Sequence, residues 1–68
     1  MGKVEFNRLR VALAEKNLKN RALAKELGVT EASVSRWCSN DTQPSPEHFL
    51  AIAQILDVDV RELIKPTK

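Results

Sequence analysis

The chain has little of what most site chemistry is built from: one cysteine, one histidine, one tryptophan and two glycines in 68 residues. A single cysteine cannot close an intramolecular disulfide, which fits a reducing cytosol and a cytoplasmic protein. His48 and Cys38 are the only soft metal ligands, too few for a zinc site, so no metal is expected. No Ser/His/Asp set and no pair of carboxylates stands at catalytic spacing, and so short a chain leaves little room for a substrate pocket. The sequence therefore reads as a non-enzyme that needs no cofactor. No stretch of about 20 apolar residues is present, which excludes a membrane span. The segment MGKVEFNRLR lacks the apolar centre of a signal peptide. Met1-Gly2 suits myristoylation, but Phe6 stands where that modification expects Ser or Thr. No run alternates with period two, so no sheet is expected. Repeats, low-complexity tracts and linkers are also missing. The length allows one small domain, residues 1–68, burying roughly 60% of its unfolded surface.

What is present is an uneven charge. The net charge is +2. Residues 1–36 carry eight bases (Lys3, Arg8, Arg10, Lys16, Lys19, Arg21, Lys25, Arg36) against four acids, a net of +4. Residues 37–68 carry three bases against five acids, a net of −2. Such polarity suits a phosphate-facing surface on the basic half, although solubility alone would also explain it.

Helical signals run along the whole chain. Phe6, Leu9 and Leu13, with Ala12 beside them, predict an amphipathic helix over about residues 4–16. Asn17 closes it, because Asn tolerates the left-handed cap, and Leu18 then turns into the core. A second helix is expected from Asn20 to Leu27, ended by Gly28. A third is expected from the Thr30 cap to Cys38. Ser39-Asn40-Asp41-Thr42-Gln43-Pro44 is dense in turn formers and reads as a loop. Ser45-Pro46 opens a fourth helix, with Ser as cap and Pro at the first helical position; Phe49, Ile52, Ala53 and Leu56 form its buried stripe. Asp59 and Glu62 make a capping-box-like start for a short fifth helix with Val60, Leu63 and Ile64, which Pro66 stops.

The stretch NRALAKELGVTEASVSRWCS, Asn20 to Ser39, is the most informative. Leu23, Leu27, Val29, Val34 and Trp37 are apolar, with Ala24 and Gly28 between them, which is the spacing of a DNA-binding helix-turn-helix. Ala24 lets the two helices approach. Gly28 supplies a left-handed turn that costs other residues about 1–2 kcal/mol. Val34 and Trp37 pin the second of the two helices to the core and leave its opposite face open to a groove.

From Phe6 to Ile64 the chain resembles the phage-repressor family, the Cro/CI or XRE-type helix-turn-helix proteins. The resemblance rests on LAKELGV, on T-x-x-S-V-S-R-W, on the loop ending in Pro44-Ser45, and on the closing LAIAQILDVDVREL. It implies an all-α, compact five-helix bundle and a transcriptional regulator, a repressor, whose third helix lies in the major groove. It also implies binding of palindromic double-stranded DNA as a dimer, with half-sites roughly 34 Å apart. Carried over by position, Glu31, Ala32 and Arg36 are the base-reading candidates. Thr30, Ser33 and Ser35 share that groove and touch phosphate, as do Lys19, Asn20 and Arg21 at the start of the second helix, where backbone amides also bind phosphate.

Departures from the family pattern are informative. Lys19 replaces a Ser or Thr cap, which leaves Asn20 as a cap in its own right. Asn40 replaces the usual Gly after the third helix, and Asp41 brings a negative charge to that loop. An Arg–Glu ion pair common in the family is replaced by Leu13 and Cys38. Loss of both partners is usually neutral, whereas loss of one costs roughly 3–5 kcal/mol.

The individual residues carry competing readings. Arg36 either grips guanine bidentately or faces phosphate. Glu31 either accepts from cytosine N4 or favours the positive end of its helix. Trp37 reads as core rather than a stacking platform, and Cys38 as a small buried hydrophobe rather than a redox sensor. Val58, Val60 and Ile64 suggest a weak homodimer through the C-terminal region. The rival to a plain regulator is an antitoxin or other protein-interaction module of the same fold, whose acidic half would meet a toxin.

Overall fold

The computed structural model describes residues 6–64. Four α-helices follow one another: α1 Leu9–Glu15, α2 Asn20–Leu27, α3 Glu31–Cys38 and α4 Pro46–Leu56. A 3-10 turn, Val60–Leu63, completes the order. The expected fifth α-helix is thus a single tight turn. Its Asp59 cap does act, accepting the Arg61 N–H at 2.9 Å, but Glu62 completes no capping box at the Asp59 side. The helix stops because the chain is claimed elsewhere. Ile64 is extended and bridges antiparallel to Asn7, while the Leu63 carbonyl accepts the Arg8 N–H at 2.8 Å. The Pro66 stop and the residue-4 start expected for the first helix lie outside the described residues.

The bridge at Asn7 also shortens the first helix. Phe6 to Arg8 are not helical, and Phe6 is 54% exposed instead of buried. Asn7 takes the inner position in its place at 3% exposure. Its amide is matched there: Oδ1 accepts the Leu9 N–H at 3.0 Å, and Nδ2 donates to the Trp37 carbonyl at 3.0 Å and to Gln43 Oε1 at 2.7 Å. A buried amide with partners on both sides avoids the penalty of an unmatched one.

All four helices leave by the same device. Asn17, Gly28, Asn40 and Asp57 each take the left-handed conformation, with φ between 56° and 73°. At each, the next residue's N–H reaches back five positions: Leu18 to Leu13, Val29 to Ala24, Asp41 to Arg36 and Val58 to Ala53. This Schellman closure satisfies carbonyls that the helix itself leaves open. Leu18, Val29 and Val58 then pack against the core.

That core unites Leu9, Ala12 and Leu13 of α1 with Leu23, Ala24, Val34, Trp37, Cys38, Ile52, Ala53, Leu56 and Leu63. Leu9, Leu23, Val34, Ile52 and Leu63 are completely enclosed. Each contributes about 1.5–3 kcal/mol of hydrophobic stabilisation relative to exposure. α2 and α3 share the most extensive contact between elements.

Candidate nucleic-acid interface

α3 divides cleanly between two faces. Val34, Trp37 and Cys38 are buried, and Glu31, Ala32, Ser35 and Arg36 are exposed. At about 100° per residue the four exposed side chains share an arc of about 140°. Ser33, at the edge of that arc, is half-buried. The start of α3 is capped by Thr30, whose Oγ1 accepts the Ser33 N–H at 3.1 Å and lies 3.0 Å from Ser33 Oγ. These two hydroxyls are therefore already paired with each other at the helix entrance.

α2 enters the same surface at its N-terminus. Lys19 and Arg21 are exposed and Asn20 is half-buried. Lys19, not Asn20, is the N-cap, extended at φ −86° and ψ 154° with no side-chain cap bond. Asn20 is already helical and turns its oxygen inward, accepting from Cys38 Sγ at 3.7 Å. The turn after α1 decides this: Leu18 is tied to Leu13, so the helix starts one residue after Lys19. Arg21 reaches across to α3, with Nε 4.0 Å from Glu31 Oε1, both side chains largely exposed. The pair joins two residues expected to contact DNA separately.

Cys38 sits behind this surface at 9% exposure. Burial pushes its thiol up, and the positive charge of Arg10 opposes that only in part. A raised thiol keeps its proton and reacts slowly, as a small core residue should. Trp37 is 7% exposed, its ring centre 5.2 Å from that of His48. The loop after α3 is held by Asn40, whose Oδ1 accepts from the Phe6 and Asn7 backbones and from Gln43 Nε2. Sequence patterning missed both this amide cluster and the Arg21–Glu31 pair. Neither is periodic; the positive φ expected of Asn40 was the only local signal.

Two helices meeting at a tight Gly28 turn, the second with one buried and one open face, are a helix-turn-helix. The helix-turn-helix family model matches residues 9–63. The chain belongs to the XRE-type helix-turn-helix family of DNA-binding transcription regulators. It is 37% identical over 49 residues to the HTH-type transcriptional regulator DicA of Escherichia coli strain K12. That match covers 69% of this chain but only 36% of DicA, so the chain spans about a third of that relative. A crystal structure from Bacteroides fragilis, of a protein described provisionally as DNA-binding, superposes with a TM-score of 0.87. It is 48% identical and covers 88% of this chain and 97% of that one. Among the described residues of this XRE-type domain, no helix is long and apolar enough to cross a membrane.

Proposed function

We propose that this XRE-type domain is a sequence-specific transcriptional regulator, acting as a repressor, that lays α3 in the DNA major groove. The observation that carries the reading is the open arc of Glu31, Ala32, Ser35 and Arg36, which the exposed cation Arg21 of α2 meets at Glu31. Arg36 is the principal base-reading side chain, since its planar fork matches guanine O6 and N7. Ala32 is small enough to let the helix sit deep, against a thymine methyl. Thr30, Ser33 and Ser35 line the groove walls, and Lys19, Asn20 and Arg21 meet phosphate at the start of α2. Two copies on a palindromic site would place their α3 helices roughly 34 Å apart.

Selection of bound sequences from a random DNA pool tests the reading directly. The expected result is a palindromic consensus with half-sites one helical turn apart, bound with an affinity that falls steeply with salt, at a log–log slope of about −0.9 per phosphate contact. A pool that returns no consensus, with binding flat between low and moderate salt, would overturn it.

A further inference from the structure

We propose that Glu31 acts on DNA through Arg21, as a positioning residue rather than as a reader of bases; the inference rests on the DNA-binding reading above and deepens it. Arg21 stands in the first turn of α2 and Glu31 is the first residue of α3, so the pair spans the two helices at the end of α2 proposed to meet phosphate. The contact runs through Arg21 Nε, 4.0 Å from Glu31 Oε1. At 4.0 Å the carboxylate is beyond hydrogen-bond reach of Nε, so it attracts the guanidinium electrostatically and leaves the edge carrying the two terminal nitrogens free. That edge is the one that grips a phosphate with two parallel hydrogen bonds. Both side chains are mostly in solvent, 87% and 58% exposed, so the pair adds little to folding and its effect falls on the ligand.

The charges explain why Glu31 needs this partner. A carboxylate at a DNA surface repels phosphate. Beside Arg21 that repulsion is screened, and the carboxylate holds the cation where a phosphate would lie. Without Arg21 the same carboxylate is an uncompensated negative charge facing a polyanion. Glu31 therefore helps binding in one background and opposes it in the other.

The test is a two-by-two set of proteins: wild type, Glu31→Gln, Arg21→Ala and the double variant. Each is titrated onto the selected site and onto a random duplex at several salt concentrations. With Arg21 present, Glu31→Gln should weaken binding about two- to fivefold on both duplexes, the size of an exposed ion pair. With Arg21 replaced by Ala, the same Glu31→Gln change should tighten binding by a similar factor. Thermal unfolding should be nearly unchanged throughout, since both side chains are exposed. If Glu31→Gln tightens binding in both backgrounds, Glu31 is only repulsive and the proposal fails. If it weakens the selected site alone, whatever stands at position 21, Glu31 reads a base directly and the proposal also fails. A wild-type protein that binds neither duplex would instead refute the underlying DNA-binding reading.

Discussion

Asn7 and Asn40, 33 positions apart, grip each other through both backbone and side chain. Asn40 Oδ1 accepts the Asn7 N–H at 3.0 Å, and Asn40 Nδ2 donates to the Asn7 carbonyl at 3.4 Å. Asn40 is therefore more than a tolerated substitute for glycine at a left-handed position. At φ 61° a glycine would relieve backbone strain, but it would also strip the acceptor from three N–H groups.

This gives a prediction of sign. Asn40→Gly should destabilise by about 1–2 kcal/mol, the loss of several hydrogen bonds outweighing the conformational gain. Asn7→Leu should cost about 2–3 kcal/mol, because it leaves the Leu9 N–H and the Trp37 carbonyl without their side-chain partner. Urea unfolding of both variants checks this. A stabilised Asn40→Gly protein would reduce Asn40 to its backbone role.

Asp57 offers the opposite case. It ends α4 in the left-handed conformation at φ 57°, with its carboxylate beside the negative end of the helix. Asp57→Gly should raise stability by about 1 kcal/mol, or about 4–8 °C in Tm for a domain of this size. Gly28→Ala should do the reverse, costing about 1–2 kcal/mol through conformation alone, since an added Cβ there meets no atom within 4 Å. Calorimetry on the two variants separates the effects.

Leu13 and Cys38 lie in one buried cluster, at 3% and 9% exposure. Cys38→Glu should destabilise by about 3 kcal/mol or more, by burying an unpaired carboxylate. Adding Leu13→Arg should restore much of that. A double variant no more stable than the single one, in thermal unfolding, would show that the two positions do not act as partners.

Cys38 also predicts an alkaline limb of the stability curve. Its thiol is raised in the folded state, so the fold favours the protonated form. That contribution is complete below the unfolded thiol's pKa and is lost as pH rises through the folded value, from about pH 9 upward. Stability measured across that range should fall more gently for Cys38→Val than for the wild type.

Arg36→Ala should cost about 1–3 kcal/mol on the selected site and relax the preference at one base pair per half-site. Lys19→Ala should weaken all sequences alike, because phosphate contacts position the protein without specifying sequence. Competition binding distinguishes the two. Equal losses on cognate and random duplexes for Arg36→Ala would make Arg36 one more phosphate contact.

The centre of the fold was legible because its signals are local. Gly28, the Thr30 cap, and Ser45 before Pro46 mark helix ends through the chemistry of one or two residues, and α2 ends, and α3 and α4 begin, where those residues stand. The edges were not. Phe6 matches a helical period with Leu9 and Leu13, yet the segment is drawn out of the helix by Leu63, Ile64 and Asn40, which no local pattern reveals. The expected fifth helix gives way to a 3-10 turn for the same reason, at the other side of that bridge. Val58 and Val60 pack against the core, so of the three residues expected at a dimer surface Ile64 alone is exposed, at 46%. The open face of α3 was legible residue by residue, but the Arg21–Glu31 contact depends on how two helices cross.

The sequence contains one tryptophan, and the fold places it on the inner side of α3, against His48 of α4. The molecule thus carries its own optical gauge, fixed to the back of the helix proposed to meet DNA. Any substitution on the outer arc can be judged by indole emission before duplex is added. An unaltered spectrum reports intact packing beneath α3, and a red-shifted one reports that water has reached the ring. A variant that loses DNA binding while the emission stays constant has lost a contact, not a fold.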